Sequence, residues 1–544
     1  MIIPDKFYNL YILLAILLAI SGLFVPLMDN DAAHHANIAL RMYLTGDYVT
    51  LADHAGDYLD KPHLHFWLAA GSYHLFGANE FAYKLPSLLF SILGVYSTYK
   101  LGSLLYNQQT GKLAALILVT SFSFFLAMND VRMDAILTAC IIFTTWQGIA
   151  WVNKKNLSSI LLLALGAALG FCTKGHIALF VPALSIFLYI LYKKNWPTFY
   201  HWHILIFCVA FLIFISPVLY SYYLQFDLHP EKVIRGESGR SGVAFILWNQ
   251  NIERLSGEKF SSKASGDRLF FFHTYLWAFA PWSIIAYIAL FTRLKNIRHK
   301  KYEWVTAGTI LLFSILITFA GFKLPHYLNV ILPVSSLLVA AFLINNSQRP
   351  WMKYLLITQY IVCALALVLL IFINFWAFTP VNYWVTAGFI LLLLLSIYII
   401  IHQKQPLQKL ITVSVLGFFM IFYLFNLNFY PALLKYQAGN ELAVLTNKKI
   451  NASNVFYWPG VYSSSYDFYS AELRKEYDST RTRLPSPAWI MIHRTNLEKF
   501  TKSGLPVYEI TAHPDYEITR LKMSFINPRT RKDKLNELLL IRVN

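Results

Sequence analysis

LYILLAILLAISGLFV, Leu10–Val25, carries no charged side chain and is too apolar for the surface of a soluble protein. The apolar stretch begins near Tyr8 and is nearly the ~20 residues that a helix needs to cross a bilayer. Ala19-Ile-Ser21 loosely resembles a small-residue signal-cleavage site. The many spans that follow argue instead for a retained anchor helix. Of the 544 residues, 57% are hydrophobic and only 14% charged, and the mean hydropathy is +0.49, which together indicate a polytopic membrane protein.

The formal net charge of +18 could suggest nucleic acid, but the basic residues sit in short clusters between apolar runs, where membrane topology accounts for them. No nucleic-acid partner is expected; membrane lipids are. The four cysteines, Cys140, Cys172, Cys208 and Cys363, lie within apolar runs without metal-ligand spacing and imply no disulfide framework.

Apolar segments fall near 8–27, 81–105, 111–128, 134–152, 157–172, 176–192, 202–223, 270–292, 304–320, 327–344, 353–377, 382–401 and 408–428, predicting an α-helical membrane core of about 13 transmembrane helices. Every second connection is basic: Lys112, Lys154/Lys155, Lys193/Lys194, Arg293–Lys301, Arg349/Lys353 and Lys404/Lys409. The positive-inside rule places these in the cytoplasm. The loops 28–80 and 224–269, the short connections NDVRMD, CTKGH, GFKLPH and FTPVNY, and everything beyond about 429 then face outward. The chain thus divides into a membrane domain, 1–428, and an extracytoplasmic tail, 429–544. In the tail, short apolar runs (NVFYW, AWIMIH, LLLIRV) alternate with charged segments and Gly/Pro turns, which predicts a small α/β domain.

The outward connections carry isolated polar residues beside helix ends: Arg132 and Asp134, Lys174 with His176, and Lys323 with His326 and Tyr327. Ionisable groups next to a membrane span are costly, so each is a candidate for function as well as for simple snorkelling at the interface. In DAAHHANIALRMYLTGDY, the spacing of Ile38, Met42 and Tyr43 predicts a helix lying along the membrane surface. Asp31 opens that helix and could cap its free N–H groups or take part in chemistry. GDYLDKPHLHFW follows, where Pro62 stiffens Lys61; Lys323-Leu-Pro325 repeats the device. Two lysines held beside prolines on one face suggest a preorganised anion site. A second surface helix is expected from Leu64. The histidines around this stretch lack the i, i+4 spacing of a zinc helix. The long loop 224–269 contains five glycines and several cations, and within it Arg254 follows the apolar VAFILW, close to the membrane.

In order along the chain, the Asp opening a surface helix, TGDY, DKP, HFWLAAGSYHLFG, NEFAYKLPS, VRMD, TKG and KLPHY resemble bacterial membrane glycosyltransferases related to the protein O-mannosyltransferases and the lipid A aminoarabinose transferase. The resemblance implies the GT-C fold, a helical membrane core with an outward domain, and transfer of a sugar from a polyprenyl-phosphate donor to a lipid, glycan or protein acceptor. Carried over by position, it makes Asp31 and Asp134 the catalytic or sugar-orienting carboxylates. Lys61, Arg254 and Tyr327 become ligands of the donor phosphate, with Lys323 as an additional cation. His34, His35, Arg132 and Lys174 become substrate-binding candidates. A divalent metal is left open as cofactor, with Asp60 its ligand. The family has Asp-Glu followed by Arg-Tyr in the first loop, whereas this chain has Asp31-Ala32 and then His34-His35, and Asn249 stands near the expected loop histidine. The competing class is a transporter or flippase of lipid-linked sugars. Such proteins place their sites near the bilayer midplane, whereas the candidates here gather at one face.

Overall fold

The computed structural model describes residues 5–234, 237–250, 253, 267–296, 303–449, 452–473, 476–478 and 484–543. A helix covers each of the thirteen apolar segments. The first five elements are α1 (Asp5–Gly22), the surface helices α2 (Asp31–Thr45) and α3 (Leu64–Phe76), α4 (Glu80–Leu105) and α5 (Gln108–Val119). There follow α6 (Phe122–Asn129), α7 (Asp134–Lys154), α8 (Leu157–Lys174), α9 (Ile177–Lys193) and α10 (His203–Tyr222). The later membrane helices are α11 (Phe270–Ala278), α12 (Ser283–Lys295), α13 (Val305–Thr318), α14 (Leu332–Asn345), α15 (Met352–Ile371), α16 (Tyr383–His402) and α17 (Pro406–Leu424). Among the described residues, eight helices are long and apolar enough to cross a membrane, or nine if the bent pair α5/α6 counts as one span.

Three expected spans depart from single straight helices. The segment 111–128 bends by 55° between α5 and α6, where Thr120 and Ser121 turn their hydroxyls back to the Leu116 and Leu118 carbonyls. The segment 270–292 is broken at Pro281, whose ring cannot continue a helical ladder. The first span stops at Gly22 instead of reaching 27, because the ring of Pro26 clashes with the carbonyl four residues before it, and Lys84 of α4, wholly buried, donates to the freed Gly22 and Val25 carbonyls at 3.0 and 2.6 Å. A lysine is thus spent on closing a helix end inside protein, and it fixes the chain that runs on into α2.

The core rests on close helix packing. α4 lies against α5 and α7, α7 against α8, and α8 against α10. At the α4/α5 crossing, a Cβ on Gly102 would lie 2.8 Å from the Gly111 Cα, so the backbones meet through small residues, as is usual where lipid supplies no hydrophobic drive between helices.

Beyond α17 the chain builds α18 (Ala438–Lys449), α19 (Ser464–Ser470) and four strands: β1 (Val455–Tyr457), β2 (Trp489–His493), β3 (Glu509–Asp515) and β4 (Asn536–Arg542). The sheet order is β1-β2-β4-β3, with β1 parallel to β2 and the other pairs antiparallel. The three apolar runs of the tail are β1, β2 and β4. The third strand added to them, EITAHPD, is an edge strand too polar to stand out in sequence. Trp489 and Met491 face one core with α18 and α19, while Ile490 and Ile492 face another around Phe500, which explains why WIMIH is apolar on both faces.

Arg531 fastens this unit to the helical core. Its guanidinium donates to the Ala377, Phe525 and Ile526 carbonyls and to Tyr436, and lies over the Phe378 ring. Replacing Arg531 by Ala would strand those carbonyls, and the expected loss is about 2–5 kcal/mol. Differential scanning calorimetry should show an earlier transition, with tail peptides released first by protease.

Candidate active site

α2 starts from Asn30, whose side-chain oxygen accepts from the Ala32 amide at 2.7 Å. Asn30 is therefore the cap, and Asp31 is relieved of that role. Its carboxylate instead takes Arg132 Nη1 at 3.1 Å while its side chain stays 60% exposed, open to a substrate. Arg132 lies in the short turn between α6 and α7, and its Nε and Nη2 also grip Asp130 at 3.2 and 3.0 Å. Burial disfavours its charge, but Asp130 and Asp31 outweigh that and hold its pKa above the usual arginine value.

Next to it, α7 begins with Asp134 and α8 ends with Lys174, paired at 2.8 Å with side chains 5% and 9% exposed. A buried pair of this kind is held by geometry, since either partner alone would be an uncompensated charge. The Lys174 ammonium sits 5.7 Å above the Tyr327 ring. Tyr327 and His326 lie in the 3₁₀ turn Pro325–Ile331 that packs against α7. The Arg132 charge reaches both Asp134 and His326. Asp31, Arg132, Asp134, Lys174 and Tyr327 therefore form one polar cluster at a single end of the helical core.

The DKP corner adjoins it. Lys61 is ion-paired with its neighbour Asp60, and the backbone there is pinned from two sides. Tyr222 at the end of α10 donates to the Lys61 carbonyl at 3.1 Å, and the buried Gln250 donates to the Asp60 carbonyl. Gln250 also lies beside Gly175, one residue past Lys174. The lysine expected as a stiffened cation is held in place before any ligand arrives.

Between the corner and α2 runs a layer of rings. His34 meets Asp53 at 3.4 Å, and the His35 ring lies 5.9 Å from that of His65. His65 Nε2 contacts the Tyr83 hydroxyl at 3.0 Å, and Tyr83 donates in turn to the Val131 carbonyl at 3.1 Å. The tyrosine proton being committed, His65 must carry its own on Nε2. Burial pushes His35 well below the ordinary histidine range, reinforced by His65 and Lys61, and pushes His34 down despite Asp53. Burial likewise brings His63 to about 4, where its Nε2 meets the Val49 carbonyl at 2.8 Å, and His65 to about 3. These rings are neutral near pH 7, so positive charge at the site comes from lysine and arginine.

Because His63 and His65 titrate lower folded than unfolded, the unfolded chain binds more protons below about pH 6.5. Stability is thus expected to fall as pH drops from about 6.5 toward 4, by about 1.4 kcal/mol per pH unit for each ring. Thermal unfolding between pH 7 and 5 checks this, and His65→Gln should flatten the dependence.

Lys323 is placed apart from its expected role. Its ammonium donates to the Asp267 carbonyl at 2.8 Å, ahead of α11, because the turn that carries it packs toward that helix. Arg254 lies outside the described residues. Among the described residues, no group of three or more His, Cys, Asp or Glu side chains is arranged to hold a metal ion, and Asp60 is engaged by Lys61, so the Asp60 metal assignment gains no ligand set. Asp130, Gln250, Tyr83 and Lys84 were not singled out by sequence. Asp130 was detectable on the same grounds as Asp134, a carboxylate beside a span. The other three are polar residues whose partners lie far along the chain.

A family pattern described as dolichyl-phosphate-mannose-protein mannosyltransferase matches residues 60–221. An undecaprenyl phosphate-alpha-4-amino-4-deoxy-L-arabinose arabinosyl transferase of Pseudomonas paraeruginosa is 26% identical over 352 residues, covering 62% of this chain and 60% of that relative. Among solved structures, ArnT from Cupriavidus metallidurans bound to undecaprenyl phosphate superposes with a TM-score of 0.75 at 17% identity, over 99% of this chain and 98% of that one. The Archaeoglobus fulgidus oligosaccharyltransferase in its apo form gives 0.50 at 10% identity, over 87% and 65%. By sequence and by fold, the chain is related to the polytopic GT-C membrane glycosyltransferases that include the aminoarabinose transferases and the protein O-mannosyltransferases.

Proposed function

We propose that the chain moves a sugar from a polyprenyl-phosphate carrier to a cell-envelope acceptor on the outer face of the cytoplasmic membrane. The observation that carries this reading is the polar cluster of Asp31, Arg132, Asp134, Lys174 and Tyr327 beside the pinned Asp60-Lys61-Pro62 corner, at one end of a helical core. In this reading the thirteen apolar segments are all crossings, basic loops lie in the cytoplasm, and the unit from 429 to 544 stands outside over the site.

Lys61, with Arg254 and Tyr327, meets the donor phosphate. An apolar groove of about 490 Å³ lined by Leu269, Phe271, Phe272, Tyr275 and Leu328 suits the prenyl chain, and its wall residue Phe271 stacks on Tyr327 with 6.4 Å between ring centres. The sugar C1–O bond to phosphate breaks as the acceptor oxygen attacks from the opposite side, with inversion, and polyprenyl phosphate departs as the leaving group. Fixed cations at the phosphate are most useful as that charge develops. Asp31, exposed beside Arg132, accepts the proton of a hydroxyl acceptor or, with a phosphate acceptor, orients the sugar. Asp134 holds Lys174 in place, and His34 and His35 border the sugar. The names of the relatives make undecaprenyl-phosphate aminoarabinose the first donor to try, and the resemblance of the motifs to the lipid A aminoarabinose transferase makes a lipid A-like phosphate the first acceptor.

Lys61→Ala in purified protein should lower polyprenyl-phosphate release by about 100-fold. Near-normal release would remove Lys61 from the phosphate site.

A further inference from the structure

The chain entering α2 is gripped by the C-terminal unit. Ser463 and Ser465, at the start of α19, both donate to Asp29 Oδ2, at 2.8 and 2.9 Å. The Asp29 amide donates to Gln437 Oε1 at 2.6 Å, and Gln437 Nε2 donates to the Leu27 carbonyl at 2.9 Å. About two turns further on, in α2, Asn37 donates to the Ser464 carbonyl at 2.7 Å. On its other side the same short segment presents Asn30 to Asp130 and Asp31 to Arg132. Asp31 is therefore suspended between a latch from the C-terminal unit and the charged cluster of the membrane core.

A half-buried carboxylate is a costly way to join two surfaces. Burial holds the Asp29 carboxyl above its usual range against the two serine bonds, and Asp515 adds to the effect. A pair of apolar side chains would join the units at lower cost, but it would not fix direction. Two hydroxyls converging on one carboxylate oxygen do fix it, two residues from the exposed carboxylate of Asp31. Gly439 makes the room: a Cβ there would lie 2.2 Å from Ser463 Oγ and 2.3 Å from Ser465 Oγ.

We propose that Asp29 is a positioning residue for Asp31: through Ser463 and Ser465 it ties the start of α2 to the C-terminal unit, so that this unit assembles the transfer site as well as covering it. The proposal rests on Asp31 acting at the reacting centre, as set out above.

The test uses the full-length protein in lipid nanodiscs, with a polyprenyl-phosphate sugar as donor and a cell-envelope lipid extract as acceptor. Turnover at saturating donor, donor KM and hydrogen exchange at the amides of residues 30–34 are measured for Asp29→Ala, Gly439→Ala, Ser465→Ala, the Asp29→Ala/Ser465→Ala double variant and Asp29→Asn. Asp29→Ala and Gly439→Ala should each lower kcat by about 10- to 100-fold, with KM within about threefold and faster exchange at 30–34. Asp29→Asn, whose amide oxygen still accepts, should stay within about threefold of the parent protein. The double variant should be no worse than Asp29→Ala alone, since both remove one contact. Unchanged kcat in a folded Asp29→Ala, additive losses, or full turnover in Gly439→Ala would overturn the proposal. Should the parent protein release no polyprenyl phosphate, the transfer reading fails by itself. The exchange measurement then still decides the latch: acceleration at 30–34 upholds it, and unaltered exchange refutes it.

Discussion

Asp31→Asn is expected to lower sugar transfer by about 1,000-fold while leaving the protein folded and its donor affinity nearly unchanged. The substitution keeps the size of the side chain and a hydrogen-bond acceptor for Arg132 Nη1, so α2 keeps its start, which Asn30 caps independently. What it removes is the charge, and with it the capacity to take a proton or steady positive charge on the sugar as the C1–O bond breaks. Loss of a charge at the reacting centre is commonly worth about 10²–10⁴ in rate. Measured kcat and KM separate the two roles open to this carboxylate. A fall in kcat alone fits a base or charge stabiliser, whereas a rise in KM of the same size would make Asp31 a ground-state sugar ligand. Activity close to that of the parent protein would leave Asp31 as no more than the partner of Arg132.

Lys174→Ala is the second large effect, and it acts through the fold as well as the site. Asp134 would remain at the start of α7 with its closest cation gone, nearly sealed from solvent. Removing one partner of a buried pair costs about 3–5 kcal/mol. Tyr327 would also lose the ammonium above its ring. The expected result is a lower unfolding temperature together with loss of transfer. Adding Asp134→Ala should recover much of the stability and none of the activity. If the double variant were as unstable as the single one, packing rather than charge would explain the loss. If it regained turnover, neither residue would belong to the site.

How much of this was legible in the sequence follows from what each residue depends on. Membrane helices are written locally, because every backbone group in lipid must be satisfied within its own segment, so apolar length alone located them. Their breaks were less visible. Pro26 marks the end of α1 locally, but the group that satisfies the freed Gly22 carbonyl is Lys84, sixty-two residues later, and no window around Gly22 contains that fact. The sheet of the C-terminal unit was readable at β1, β2 and β4, which are buried, and hidden at the polar edge β3. For the site, isolated charges beside spans were enough to bring Arg132, Asp134 and Lys174 to notice, while the start of a surface helix marked Asp31 and a proline corner marked Lys61. Their pairing was not. Capping by Asn30 instead of Asp31, the engagement of Lys61 by Asp60 and the turn of Lys323 toward Asp267 each depend on side-chain geometry. Of the first-loop histidines, conspicuous in sequence, His34, His35, His63 and His65 resolve into a neutral layer that supports α2 and the Lys61 corner.

The central claim is tested most directly in proteoliposomes carrying a polyprenyl-phosphate donor labelled in its sugar and supplied with cell-envelope lipid as acceptor. The account predicts that the label leaves the donor, unlabelled polyprenyl phosphate accumulates in equal amount, and both changes vanish with Asp31→Asn. Label that stays on polyprenyl phosphate and only changes leaflet would contradict it and mark the protein as a transporter of lipid-linked sugar.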